Sequence, residues 1–242
     1  MFLFRSQTRR RFAPVAASVL IIVSGVLTYT SGAFAVDGVI DIDSAVVTSF
    51  PYSITASGSY RLTSNLMVTS GADGIDISAD NVTIDLNGFA ITGSGGSAGN
   101  GIASTNNQVT VRNGTVTAMG GNGISLGANA TVADVHAVSN GIDGIVVGNS
   151  SLVTHCTVSG NAEIGISVTG SGSVVIENSV YDNAGYGLQL NDISSSFGDN
   201  VFLGNKGNAT IGSLSPTQVA PPPNGSIQVQ LGSNLCNGVS CP

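Results

Sequence analysis

The sequence predicts an all-β fold, a right-handed parallel β-helix of about six coils with repeats of about 22 residues. The first observation is a three-residue phrase centred on glycine. Its glycines lie 27, 22, 21, 21 and 22 residues apart, and a fixed period of this length is typical of a solenoid. The phrase occurs as Asp73-Gly74-Ile75, Asn100-Gly101-Ile102, Asn122-Gly123-Ile124, Asp143-Gly144-Ile145, Ile164-Gly165-Ile166 and Tyr186-Gly187-Leu188.

The second observation is that short segments rich in Val, Ile and Thr alternate with turns rich in Gly, Asn, Ser and Asp. These segments are four to six residues long and show no helical period, so each coil is expected to hold two or three short strands. The third is that no proline lies between Tyr52 and Ser215, as a ladder that uses every backbone N–H requires. Successive coils then pair in parallel, and such crossovers are right-handed in nearly all proteins.

The N-terminal residues are typical of an export signal. Four arginines within residues 5–11 precede an apolar stretch over 12–29, and Ala33-Phe34-Ala35 supplies a small-x-small cleavage site. An uncleaved membrane anchor is the alternative, because the apolar run is nearly long enough to span a bilayer. The predicted organisation is a signal peptide (1–35), an N-terminal cap segment (36–66), repeats (67–207) and a proline-rich tail (208–242).

Charge limits the classes of partner. After cleavage only Arg61, Arg112 and Lys206 remain against 14 acidic residues, a net charge of −11. Such a chain is not expected to bind nucleic acid or anionic lipid, nor to insert in a membrane once the signal is removed. A neutral polysaccharide, an acidic one bridged by Ca²⁺, or an envelope protein is compatible with it. The predicted location is the periplasm, the cell surface or the medium.

The three cysteines divide into a pair and a single residue. Cys236 and Cys241 lie close together near the C-terminus and are candidates for a disulfide in an oxidising compartment. Cys156 falls inside a predicted strand and is expected to be a buried thiol.

Aligning the repeats on Asn140, Asn161, Asn183 and Asn205 places two columns side by side, and alternation along a strand requires them to face opposite ways. Ile176 and Val180 share the parity of Asn178, so we expect the first column to point into the core with them, where asparagines hydrogen-bond to one another, and the second to face solvent. The inward column is Asn113, Val135, Cys156, Asn178 and Asn200, and the outward charged column is Arg112, Asp134, His155, Glu177 and Asp199.

Segments at both ends of the mature chain resemble a known family. Residues 57–63 (Ser-Gly-Ser-Tyr-Arg-Leu-Thr), residues 77–88 (Ile-Ser-Ala-Asp-Asn-Val-Thr-Ile-Asp-Leu-Asn-Gly) and residues 234–238 (Asn-Leu-Cys-Asn-Gly) are similar to exported bacterial right-handed β-helix repeat proteins of the pectin-lyase-like group. The resemblance implies the fold over most of the mature chain. It is weak for function, since many such members have no known activity and the fold hosts several chemistries.

Along the outward column we expect Arg112 to neighbour Asp134, and the carboxylates of Glu177 and Asp199 to lie side by side and repel each other. Three interpretations of this column stay open. It is a solvated polar face, a Ca²⁺ or glycan-contact site formed by Asp134, Glu177 and Asp199, or a catalytic site that uses His155, Glu177 and Asp199. Two carboxylates about 5 Å apart suit a retaining glycosidase, and His136 adds an imidazole nearby. The Asp-Asp, Gly-His-Gly and Arg-x-Lys motifs of enzymes in the resembled group are missing.

The sequence therefore predicts an exported module, most simply a non-catalytic envelope or extracellular protein that presents its sheet to a glycan or protein partner. No cofactor is expected apart from possible Ca²⁺. The alternative is a polysaccharide-active enzyme, a glycosidase or lyase, acting through the outward column. A purely structural or assembly role is the third possibility, since exposed coil ends pair with other chains unless they are capped.

Overall fold

The computed structural model describes residues 38–69, 71–94, 99–192, 194–207, 229–231, 233–236 and 239–240. The predicted signal peptide, most of the proline-rich tail and Cys241 lie outside the described residues. Within the described residues there is no α-helix, and so no helix long and apolar enough to cross a membrane.

The described chain forms 23 short strands. In chain order they are β1 (Val39–Ile42), β2 (Tyr52–Ile54), β3 (Gly58–Leu62), β4 (Leu66–Val68), β5 (Ile75–Ile77), β6 (Val82–Asp85), β7 (Ala90–Gly93), β8 (Ile102–Ser104), β9 (Val109–Thr117), β10 (Ile124–Ser125), β11 (Thr131–Val138), β12 (Ile145–Val147), β13 (Leu152–Thr154), β14 (Thr157–Ser159), β15 (Ile166–Val168), β16 (Val174–Ile176), β17 (Ser179–Tyr181), β18 (Leu188–Leu190), β19 (Ser196–Gly198), β20 (Val201–Leu203), β21 (Val229–Leu231), β22 (Leu235–Cys236) and β23 (Val239–Ser240).

Each coil has three sides. The first side contains β6, β13, β16 and β19, and the second contains β7, β14, β17 and β20; the long strands β9 and β11 run through both, which joins them into one sheet of 16 strands. The third side is a separate sheet of seven parallel strands, in the order β18-β15-β12-β10-β8-β5-β2. Neighbouring strands pair in parallel throughout, except that β22 and β23 are antiparallel. The predicted parallel solenoid is confirmed.

The solenoid starts earlier than expected and has about seven turns rather than six, as the seven strands of the third side show. Strands β1 to β3 lie in the segment predicted as a cap, and β4 begins at its last residue. They pair in register with the next coil; Tyr52, for example, lies opposite Ile75. The core is a stack of apolar side chains directed inward from all three sides, and isoleucines 102, 124 and 145 lie on one another on the third side. Each strand is too short to bury these side chains alone, so stacking supplies the stability.

The repeated glycine is explained by close packing between coils. A Cβ on Gly144 would lie 2.3 Å from Cγ1 of Val158 and 2.7 Å from the carbonyl oxygen of Gly165, the equivalent glycine of the next coil. The same obstruction by the next coil's carbonyl recurs at Gly74, Gly101, Gly123 and Gly165. The glycine marks a position where the backbone of one coil contacts the backbone of the next. This contact explains why the three-residue phrase recurs about every 22 residues.

At each corner of the triangular coil one residue adopts the left-handed conformation, and its neighbour turns inward. The corner between the first and second sides has Asn113, Asp134, His155, Glu177 and Asp199, with φ between +50° and +59°. The other two corners have Ala118, Ser139, Gly160, Asp182 and Gly204, and Asn81, Gln108, Asn129, Ser150 and Gly172. Asn, Asp and Gly tolerate this conformation best, which accounts for much of the turn composition.

Polar ladders inside the corners satisfy the backbone where strand pairing stops. At the corner between the second and third sides, Asn161 accepts the N–H of Asn140 at 2.9 Å and also its side-chain amide at 3.0 Å. Asn183 and Asn205 continue this ladder. Serine hydroxyls of Ser151, Ser173 and Ser195 accept backbone N–H groups in the same way at the third corner. Each of these two ladders thus links buried polar side chains to partners one coil away.

Candidate functional site

The charged column lies on the outside of the corner between the first and second sides. Its outward direction comes from the left-handed corner and not from simple alternation along a strand. Val175 is buried, Ile176 and Glu177 both turn outward, and Asn178 is buried again. The predicted burial of Asn178 holds, but the expectation that Ile176 shares its inward face is wrong because the corner shifts the alternation by one residue.

The first member of each predicted column is displaced by one position. Arg112 lies opposite Ala133, and Gly114 lies opposite Val135. Asn113 is therefore the exposed corner residue in line with Asp134, and Gly114 occupies the inward position. The coil from Gly114 to Val135 thus has 21 residues rather than 22, and a Cβ on Gly114 would lie 2.3 Å from Cβ of Leu86 in the preceding coil.

Arg112 belongs instead to a ladder of alternating charge on the first side. It lies opposite Asp85, and their side chains form an ion pair of 3.1 Å. Asp85 in turn lies opposite Arg61, which forms an ion pair of 2.8 Å with Asp41. The expected contact between Arg112 and Asp134 is replaced by this ladder. These pairs are solvent-exposed, so each contributes less than about 1 kcal/mol to stability.

His155 and Glu177 form the closest pair in the column. Nε2 of His155 lies 2.8 Å from the carboxylate of Glu177, and Nδ1 lies 2.9 Å from the hydroxyl of Thr154. The side chains of the pair are 56% and 50% exposed, so they sit on a convex corner in contact with water. The pair is an ion pair when the imidazole is protonated and an N–H···O hydrogen bond when it is neutral.

Asp199 does not face Glu177 as an uncompensated charge. One of its oxygens accepts the backbone N–H of Ser233 at 2.9 Å, while the carboxylate of Glu177 is directed to His155. The expected repulsion between the two carboxylates is therefore relieved by separate partners. Among the described residues no group of three His, Cys, Asp or Glu side chains is arranged to hold a metal ion. The possible Ca²⁺ site at Asp134, Glu177 and Asp199 stays a prediction.

His136 lies two residues after Asp134 on strand β11, and both side chains are exposed. It lies opposite Thr115 and Thr157 on the outer face of the second side. The second imidazole predicted near the column is thus on the adjoining face and not at the corner itself.

The cysteines are placed as follows. Cys156 is a free, buried residue between β13 and β14 rather than inside a strand, and burial raises the pKa of its thiol to about 12. Such a thiol is unreactive at neutral pH. Cys236 is disulfide-bonded. Its pairing with Cys241 stays a prediction, because Cys241 lies outside the described residues.

An apolar patch, which we define as Tyr181, Val201, Leu203 and Leu235, covers the C-terminal end of the second side. Tyr181 lies opposite Leu203, Val201 lies opposite Leu235, and Val201 and Leu203 flank the buried Phe202. Their exposed fractions are 37% for Tyr181, 43% for Val201, 53% for Leu203 and 41% for Leu235. The patch was not predicted; apolar residues at two alternate positions of β20 were its only sequence signal.

The corner between the second and third sides has an open groove of about 420 Å³. We call it the corner groove; its lining residues are Ala162, Glu163, Ile164, Ala184, Gly185, Tyr186 and Gln189. Sequence analysis did not predict a groove here. Neither this groove nor a smaller one beside Arg61 and Arg112 includes His155, Glu177 or Asp199.

Comparison with known families agrees with this architecture. The family described as "Right handed beta helix region" matches residues 24–178 and 91–220, which together cover most of the chain. The chain therefore belongs to the right-handed β-helix family, and the predicted hand of the solenoid is confirmed. A search of curated proteins finds no match.

Two solved structures are similar in fold. One is the A-module of the mannuronan C-5 epimerase AlgE4 from Azotobacter vinelandii, with 12% identity, a TM-score of 0.34, and coverage of 69% of this chain and 66% of that one. The other is ORF18 of Geobacillus virus E2, with 12% identity, a TM-score of 0.37, and coverage of 81% of this chain and 51% of that one. The chain thus spans just under two thirds of the first structure and half of the second.

Proposed function

We propose that this protein is an exported, non-catalytic binding module and that it holds a protein partner through the apolar patch. The observation that supports the proposal is the apolar patch. Four large apolar side chains are exposed side by side on a flat parallel sheet, where outward positions of a soluble protein are normally polar. Clusters of this kind mark interaction surfaces, whereas single exposed apolar residues do not.

The chemistry of the patch favours a protein over a glycan. Three of its four side chains are aliphatic, and the chain contains no Trp to stack on a sugar ring. Exposed acidic residues flank it, since Asp182 follows Tyr181 directly and Asp199 lies two residues before Val201. Two copies of this surface would bring like charges together, so the complementary partner has an apolar centre and a basic rim.

Export supports a partner outside the cytoplasm. The basic residues, the apolar run and the Ala33-Phe34-Ala35 triplet predict cleavage near Val36. The partner is accordingly expected in the periplasm, at the cell surface or in the medium.

Site-specific photo-cross-linking in the native host tests the proposal. A benzophenone amino acid is placed at Leu203, and the control is Thr110, an outward position on the first side. We expect a covalent adduct with one protein at position 203 and not at position 110. The adduct supports the proposal only if the purified partner binds the purified wild-type protein; absence of binding, or the same adducts at both positions, contradicts it.

A polysaccharide-active enzyme is the second candidate, favoured by the close His155–Glu177 pair. A carboxylate and an imidazole at 2.8 Å are suited to proton transfer, although both are half exposed on a convex corner. The test is a product assay on a panel of polysaccharides, with and without Ca²⁺, that follows both reducing ends and unsaturated sugars. Products that disappear in Glu177→Gln would establish this function in place of the non-catalytic one.

A further inference from the structure

The corner groove owes its shape to a glycine between bulkier neighbours. Gly185 lies one coil beyond Glu163, and its N–H donates to the carbonyl oxygen of Glu163. A Cβ at Gly185 would lie 2.7 Å from that carbonyl, so the position is restricted to glycine and stays open above the backbone. Tyr186 and Gln189 line the groove from the same coil as Gly185, and Glu163 lines it from the preceding coil.

The groove offers acceptors and an aromatic ring but no cation among its lining residues. No hydrogen bond or ion pair to the side chain of Glu163 occurs in the described part of the chain. The amide nitrogen of Gln189 donates to Asn191 at 2.9 Å, which leaves its carbonyl oxygen as an acceptor. Asp143 adds negative charge nearby; burial, and to a smaller extent the charge of Glu163, raises the pKa of Asp143.

We propose that the corner groove binds the guanidinium or ammonium group of a basic segment of the protein partner, with Glu163 as the counter-charge and Tyr186 as the ring on which the cation rests. This inference rests on the proposed function and extends it, because Tyr181 of the apolar patch and Ala184 of the groove lie only three residues apart around the same corner. A partner that covers the patch therefore reaches the groove.

Electrostatics favours this occupant over a neutral one. A carboxylate beside a tyrosine ring attracts an organic cation through both ion pairing and cation–π attraction. Arg61 and Arg112 are engaged with Asp41 and Asp85 on another face. Lys206 lies one coil beyond Ala184 and is the local competitor, although no ion pair links it to a carboxylate within the described residues.

The groove is tested by titrating the purified protein with N-acetyl-arginine amide while backbone NMR shifts are followed. N-acetyl-glutamine amide is the neutral control, and D-glucosamine distinguishes a cationic sugar from a basic peptide as the source of the charge. We expect saturable shifts at residues 162–164 and 184–187 with the arginine probe only. Glu163→Gln and Tyr186→Leu should each weaken binding at least about threefold, and Lys206→Gln should strengthen it.

Asp76→Asn is the matched control, because it removes one carboxylate from the third side away from the groove, and it should leave the affinity within about 1.5-fold of wild type. Equal shifts with the glutamine probe, unchanged affinity in Glu163→Gln, or tighter binding of glucosamine would overturn the inference. The cross-link at Leu203 is measured separately. If the arginine probe causes no shifts but the cross-link at position 203 forms, this inference alone is rejected. If the arginine probe binds but the cross-link does not form, the proposed function alone is rejected.

Discussion

Replacing Asn178 by Asp changes one atom of a buried ladder and should destabilise the protein strongly. Asn178 is 2% exposed, and its Oδ1 accepts the N–H of Cys156 at 2.9 Å. Its Nδ2 donates to the carbonyl oxygens of Val153 at 3.0 Å and Ile176 at 2.9 Å, and to Oδ1 of Asn200 at 2.9 Å. In Asn178→Asp an oxygen takes the place of this donor and faces the three acceptors, so every hydrogen bond that the two N–H groups of Nδ2 donate is lost.

The size of the expected loss in unfolding free energy follows from burying a carboxylate that has lost these hydrogen-bond partners. Uncompensated buried charge costs about 3–5 kcal/mol of unfolding free energy, and we expect Asn178→Asp to lose that amount at pH 7. Burial raises the folded-state pKa of the new carboxyl above its unfolded value of about 3.9. A group whose folded pKa is raised loses its favourable contribution as pH rises through that pKa, so the deficit should be largest at pH 7 and smaller near pH 4.

The assay is urea unfolding of wild type and variant at both pH values, followed by circular dichroism. Glu177→Gln is the control, because it alters the adjacent outward residue and removes only an exposed pair, which is expected to cost less than about 1 kcal/mol. A loss below about 1 kcal/mol for Asn178→Asp at pH 7, or a larger loss at pH 4 than at pH 7, would refute the buried ladder.

Three further predictions follow from the packing. Gly144→Ala should lower the unfolding free energy by about 2–3 kcal/mol, because its Cβ meets the carbonyl of Gly165; urea unfolding without a shift in midpoint would contradict this. Iodoacetamide at pH 8 should leave Cys156 unmodified in the native protein and alkylate it in guanidinium, since burial raises its thiol pKa to about 12; rapid native labelling by mass spectrometry would contradict this. Burial raises the pKa of Asp143, so wild type should lose stability relative to Asp143→Asn as pH rises above about 4, and parallel pH profiles of melting temperature would disprove the effect.

The fold was predictable because its main constraints repeat along the chain. Stacked glycines such as Gly123 and Gly144 report a backbone contact that each coil must make again, so the period is visible in the sequence. Asn161 and Asn183 are equally regular, because each ladder member serves the coil before it. Local periodic requirements of this kind are readable without coordinates.

The faces of the corner residues were only partly predictable. Alternation along a strand applies until a left-handed residue intervenes, and that residue moves every following side chain by one position. Glu177 and Asn178 were assigned correctly, whereas Ile176 was not. The displacement of Arg112 has a different cause, since the coil from Gly114 to Val135 has 21 residues rather than 22, and strand register decides this, not the strand pattern.

The apolar patch and the corner groove were missed because they depend on register between distant residues. Val201 and Leu235 are 34 positions apart, and their contact crosses a segment longer than the repeat. Glu163 and Tyr186 line one groove at a corner that the strand pattern does not describe. Sequence reasoning singled out the charged column because it holds an ionisable residue in each of five successive repeats, but in the structure Arg112 pairs with Asp85, and His155 pairs with Glu177.

The most direct test of the binding account is the affinity of the purified cross-linked partner for the wild-type protein and for Leu203→Asp. Thr110→Asp adds the same charge to the first side and serves as the control. The account predicts that Leu203→Asp weakens binding by about tenfold or more while Thr110→Asp leaves it unchanged. Equal affinity for wild type and Leu203→Asp would contradict the claim that the apolar patch holds the partner.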